Sequence, residues 1–196
     1  NAQSRVVEEA LLHHGLPYTL IGGTRFYERK EIKDVISYLR VLHNEKDMAA
    51  YKRVEKLGKG RFAKFLAYQA SIEDIDSLKT IDLLDQVIKA TGYLELYDEK
   101  DEEERARLEN IKELRSVAIE FPDMTEFLEN IMLVEKEYSK DEQDLKKNGI
   151  TLMTLHAAKG LEFPIIFMIG MEEGLFPHSR SLMDKNELEE ERRLCY

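Results

Sequence analysis

The chain has 196 residues, 43% of them hydrophobic, enough to bury one good core or two small ones. It carries no apolar run of the roughly eighteen residues a membrane span needs and no basic, apolar leader. Its 39 acidic against 29 basic residues give a formal net charge of −10, which excludes a simple basic-surface reading of nucleic-acid binding. The single cysteine, Cys195, cannot form an internal disulfide and fits a reducing cytoplasm.

Ser4 is placed to cap a helix running through His14, with Val6, Val7, Ala10 and Leu11 at helical spacing and Gly15-Leu16-Pro17 as its stop. Residues 18–21 read as a strand ended by Gly22 and Gly23. From Glu28 the period becomes helical and stays so for most of the chain. Ile32, Val35, Ile36, Leu39 and Leu42 make one apolar face of a helix ending near His43. Residues 47–57 and 62–70 are shorter helices parted by Gly58-Lys59-Gly60. Thr80 is placed to cap a helix over 81–91, and helices over 102–120 and 125–138 are split by Phe121-Pro122-Asp123. Residues 140–148, polar and charged, read as a linker.

The stretch GITLMTLHAAKGLEFPIIFMIGMEEGLFPH, residues 149–178, holds two short apolar runs, 150–155 and 163–169, around a polar turn, 156–162. Such runs suit strands buried on both faces of a parallel sheet. Ligands of open α/β sheets bind outside the carboxyl ends of the strands, where His156, Lys159 and Glu162 would then lie. An imidazole, a point cation and a carboxylate able to accept from a sugar hydroxyl point to a nucleotide or nucleic acid. The expected fold class is therefore α/β, a partial parallel sheet with a large all-α insertion, helical overall.

The segment TLHAAKGLEFPIIFMIGMEEGLFPH closely resembles motif V of the UvrD/PcrA branch of superfamily 1 DNA helicases. The closing ELEEERRLCY resembles the lead-in to motif VI, and the first forty residues are similar to the passage from the second motor domain into its accessory domain. These blocks follow the family's order over about half the chain. The resemblance implies a RecA-like motor domain (2A) from residues 1–26 and 149–196, a helical accessory domain (2B) from 27–140, and a return linker over 141–148.

The resemblance also implies site roles. Glu162 would accept from the ribose of ATP. Thr154, His156 and Lys159 would line a single-strand track, with His178 and Asn1 beside it. Gly58, Lys59 and Gly60 would let a duplex phosphate approach the backbone of the accessory domain, helped by Lys56, Arg61 and Lys64. Apart from the resemblance, the paired Gly22 and Gly23 at the passage into the helical insertion suit a hinge that absorbs backbone rotation. The intact protein would use ATP and Mg²⁺, step along single-stranded DNA in the 3′-to-5′ direction, unwind a duplex junction, and work with an N-terminal motor domain and DNA-repair proteins. No GxxxxGK[ST] occurs in the chain and the motif VI arginine would lie beyond Tyr196, so by itself the chain is expected to bind no ATP or Mg²⁺ and to hydrolyse none. The rival readings are the motor part of a helicase–nuclease subunit and a non-catalytic helical interaction module.

Overall fold

The computed structural model describes residues 4–172, 176, 177, 181 and 184–194, and of residues 137–148 the backbone. Helix α1, Ser4–His13, ends in a glycine turn: Leu16 N–H bonds to Leu11 O at 2.8 Å and Gly15 N–H to Leu12 O at 2.9 Å. Gly15 takes φ 63°, a left-handed conformation that glycine adopts without steric cost. The turn feeds β1, Tyr18–Ile21, which pairs in parallel with β2, Ile150–Met153, in the register Tyr18↔Ile150 to Ile21↔Met153.

Between the two strands the chain is helical: α2 (Lys30–His43), α3 (Met48–Glu55), α4 (Lys59–Ser71), α5 (Thr80–Thr91), α6 (Glu102–Glu120) and α7 (Met124–Asn148). Three of these begin on an aspartate whose carboxylate accepts a first-turn amide: Asp47 from Ala50, Asp101 from Glu104 and Asp123 from Glu126. Short α8 (Leu155–Ala158) and α9 (Lys185–Leu194) follow β2. No helix among the described residues is long and apolar enough to cross a membrane.

Helix α2 is the hub, packing against α3, α5, α6 and α7. The sequence suggests one apolar face, but Glu31, Asp34 and Ser37 are buried along with Ile32, Val35, Tyr38 and Leu39. Burial of two carboxylates is tolerated because neighbouring elements supply donors. Asn110 Nδ2 of α6 donates to Glu31 at 2.6 Å, while Arg53 Nε of α3 and the Tyr93 hydroxyl donate to Asp34 at 2.6 and 2.9 Å. Tyr18, Phe26 and Tyr27 belong to the same buried cluster as Leu39, Leu84, Leu114 and Phe127.

Several expectations are corrected. Thr80 does not cap α5, whose N-cap position is Lys79; Thr80 is fully buried, and its N–H and hydroxyl both donate to Pro122 O, at 2.8 and 2.9 Å. That carbonyl is left free by the break between α6 and α7, and the hydroxyl serves it instead. The linker expected over 141–148 is not a loop, because α7 runs unbroken to Asn148. Lys59 and Gly60 are the first residues of α4 and not an interhelical turn. The polar turn over 156–162 begins as α8. Residues 163–169 form no strand, and Ile165, Ile166 and Phe167 are 75%, 64% and 87% exposed. A run apolar on both faces becomes a strand only beside a hydrogen-bonding neighbour and under covering helices, and β1 and β2 are the only strands among the described residues.

Candidate nucleic-acid interface

Parallel pairing sets the geometry of the site, since β1 and β2 release their following segments at the same edge. After β1 come Gly22, with φ 75°, and Gly23. After β2, Thr154 Oγ1 accepts the Ala157 N–H at 3.2 Å and starts α8, which carries His156. Lys159 closes α8, and Gly160, with φ 80°, turns the chain outward. A Cβ built on Gly22 would lie 3.6 Å from the Ala157 Cβ, so the two segments touch. The structure thus brings Gly22, Thr154, His156 and Lys159 to one sheet edge. Thr154, His156, Lys159 and Glu162 are all exposed there.

A second feature was not visible in the sequence. His156 shares an open cleft of about 440 Å³ with Asn186, Glu187, Glu190 and Arg193 of α9. In α9, Arg192 pairs with Glu189 at 2.9 Å and Arg193 pairs with Glu190, and Glu187 and Glu191 also line the cleft. A polyanion entering this cleft meets more carboxylates than cations. Thr154 and Lys159 are not among the residues that line it.

The other basic locus is the α3–α4 corner. Gly58 holds the N-cap position of α4 with φ 120° and no capping side chain, and a Cβ added at Gly58 or Gly60 would meet nothing within 4 Å. First-turn amides, which have no partner inside a helix, therefore open to solvent here. Lys52, Lys56, Lys59 and Lys64 are exposed around them, and no ion pair engages these four among the described residues. Arg61 turns inward, its Nε reaching Gly92 O at 3.5 Å. The corner and the strand edge share no residue. His178 and Asn1 lie outside the described residues.

Among the described residues no group of three His, Cys, Asp or Glu that could hold a metal ion occurs. Glu162 is an exposed carboxylate four residues past α8.

A polar node joins α1, the turn after β1 and α6. Arg29 donates through Nη1 to Asn110 Oδ1 at 2.7 Å, through Nη2 to Ser4 Oγ at 2.6 Å and through Nε to Thr24 O at 3.1 Å. Arg5, almost fully buried, pairs with Glu9 at 2.6 Å and Glu113 at 2.7 Å. Sequence reading missed this node because Arg29 and Asn110 stand 81 residues apart and neither belongs to a motif.

The profile of the UvrD-like helicase C-terminal domain matches residues 1–87 and 62–196. The ATP-dependent DNA helicase PcrA of Bacillus subtilis (strain 168) is 40% identical over 246 residues, covering 100% of this chain and 33% of that protein. PcrA proteins of Staphylococcus epidermidis (strain RP62A) and Staphylococcus aureus (strain Mu50) are 38% and 36% identical, each over 247 residues, with the same two coverages. The chain spans about a third of the length of the curated relatives it matches. The Bacillus alignment runs over 246 positions against 196 residues here, which leaves 50 that this chain does not fill. Matched by the profile from its first residue to its last, the chain belongs to the UvrD-like helicase C-terminal domain family.

Proposed function

We propose that this chain is part of an ATP-dependent DNA helicase, in which it supplies one wall of the nucleotide cleft and part of the track for single-stranded DNA. The observation that carries this reading is the edge of a parallel strand pair where β2 is followed by exposed Thr154, His156 and Lys159, next to the turn after β1, with exposed Glu162 just beyond. Residues 1–26 and 149–196 belong to motor domain 2A and residues 27–140 to accessory domain 2B. A second motor domain holds the phosphates and magnesium. ATP hydrolysis supplies the free energy for stepping, in the 3′-to-5′ direction.

Within that scheme Glu162 accepts a hydrogen bond from the ribose. Lys159 and Thr154 hold a backbone phosphate without reading sequence, and His156, with His178 and Asn1, flanks the strand. The α3–α4 corner at Gly58, Lys59 and Gly60 meets the duplex ahead of the junction. The protein works in DNA repair or replication, with repair proteins as partners.

The test uses the full-length protein. Wild type discriminates ATP from its 2′- or 3′-deoxy analogue, and Glu162→Ala abolishes that discrimination while leaving the preference for adenine. Retained discrimination removes Glu162 from the ribose. Lys159→Ala lowers the salt dependence of single-strand binding by about 0.7 in log–log slope, one phosphate's share. An unchanged slope removes Lys159 from the track.

A further inference from the structure

Six cations crowd the α3–α4 corner, and the structure divides them by type. Lys52, Lys56, Lys59 and Lys64 are exposed, whereas Arg53 and Arg61 are half-buried and turn toward the core. Arg61 Nε of α4 reaches Gly92 O at 3.5 Å. Arg53 Nε of α3 donates at 2.6 Å to Oδ1 of Asp34, a carboxylate on α2 whose side chain is 2% exposed, and Arg53 Nη2 donates to Lys30 O in the first turn of α2 at 3.3 Å. The second oxygen of Asp34 accepts from the Tyr93 hydroxyl at 2.9 Å. Tyr93 opens the one-turn helix that follows α5, and its hydroxyl lies 2.9 Å from that of Tyr97. A carboxylate paired with a guanidinium only accepts, so Tyr93 gives its proton to Asp34 and Tyr97 gives its own to Tyr93. Burial holds the Tyr93 hydroxyl well above its ordinary pKa, which keeps it a donor.

The ring contacts of the corner are apolar. Tyr51 of α3 meets Phe62 of α4 with centroids 5.3 Å apart, and Tyr38 of α2 meets Phe65 of α4 at 5.1 Å. Apolar burial drives association without fixing direction, whereas a hydrogen-bonded ion pair fixes it. A buried pair adds little net stability over an apolar replacement, so its contribution here is geometric. We propose that Asp34 and Arg53 are positioning residues: they set the orientation of α3 against α2 and so aim the exposed lysines of the corner as one array, able to meet several phosphates of a duplex at once. Arg53 itself touches no DNA, and Asp34 acts on the corner only through Arg53. This role rests on the reading of the corner as the duplex contact.

The experiment measures, in the full-length protein, the slope of log affinity against log salt for a tailed duplex and for a single strand. Asp34→Ala leaves Arg53 unneutralised and raises the positive charge of the corner by one, so simple attraction predicts tighter duplex binding. The positioning role predicts the opposite: weaker binding, with a duplex slope shallower by about 0.9 or more, the share of at least one phosphate contact, and a single-strand slope at its wild-type value. Asp34→Asn, which keeps an acceptor without the charge, falls between. Arg53→Lys keeps the charge but loses the planar fork, and lowers the duplex slope as far as Arg53→Gln does. Should Asp34→Ala not fold, the two Arg53 variants carry the test, at a side chain 36% exposed. Tighter duplex binding by Asp34→Ala, or full rescue by Arg53→Lys, overturns the proposal. So does an equal fall in the single-strand slope, which would mark a general loss of structure. Lys56→Gln combined with Lys59→Gln separates the two readings. An unchanged duplex slope in that variant removes the duplex contact and this role with it, whereas a slope that falls there but stays at wild type in Asp34→Ala and Arg53→Lys overturns the positioning role alone.

Discussion

Replacing Lys56 and Lys59 together by Gln tests whether the α3–α4 corner meets duplex DNA. Both ammonium groups are exposed, and no ion pair engages either among the described residues, so each is available to displace one condensed counterion. For B-form DNA each phosphate contact contributes about −0.9 to the slope of log affinity against log salt. Between about 50 and about 200 mM salt, a fourfold change, one contact therefore accounts for about 3.5-fold in affinity and two for about 12-fold. The double variant should bind a tailed duplex with a slope shallower by about 1.8, so that its deficit against wild type is large at low salt and nearly closes at high salt. Lys59 also stands at the first position of α4, where the helix dipole disfavours a cation by about 0.3–1 kcal/mol. Lys56, at the C-cap of α3, is favoured by that helix's dipole to a similar extent, so the double substitution should leave the melting temperature nearly unchanged while binding weakens, which separates lost contact from lost fold. Fluorescence anisotropy titrations of the full-length protein at several salt concentrations give the slope, with Lys100→Gln on the acidic turn before α6 as the control. An unchanged slope, or an equal loss in the Lys100 control, would refute assignment of the corner to duplex contact.

Two further outcomes concern the strand-bearing segment. Burial holds the Glu8 carboxyl above its ordinary pKa, against the opposing pull of the Tyr18 hydroxyl that donates to it. A raised carboxyl pKa favours folding below the unfolded value and loses that contribution as pH rises through the folded value. Glu8→Gln, neutral at every pH and still able to accept from Tyr18, should melt above wild type at pH 8 and converge with it near pH 4. A melting-point difference that is constant with pH would show that Glu8 ionisation is not linked to folding. Gly22→Ala isolates backbone strain, because its Cβ would make only an ordinary 3.6 Å contact with Ala157 while φ stays at 75°. The left-handed conformation should cost about 1–2 kcal/mol, and the melting temperature should fall by a few degrees; no fall would mean that the turn relaxes freely.

The local elements were written in the chain. Helical spacing located α2, α5 and α6, the Phe121-Pro122-Asp123 break located the α6–α7 boundary, and Gly15-Leu16-Pro17 stopped α1, because caps, breakers and periodicity act over a few residues. The residues of the strand edge were legible for the same reason, once 150–155 was read as a strand, although β2 ends at Met153. Three things needed the tertiary structure. Parallel pairing of β1 with β2, far apart in the chain, is what sets Gly22 against Ala157 and makes one edge of two loops. The acidic wall of α9 opposite His156 depends on packing that no local pattern encodes. The buried polar ties of Arg29, Asn110 and Arg5 read as ordinary surface residues in the sequence, since a side chain declares its burial only when distant elements enclose it. Residues 163–169 make the converse case: an apolar run states a strand's propensity, but hydrogen-bonding neighbours and covering helices decide whether a strand forms.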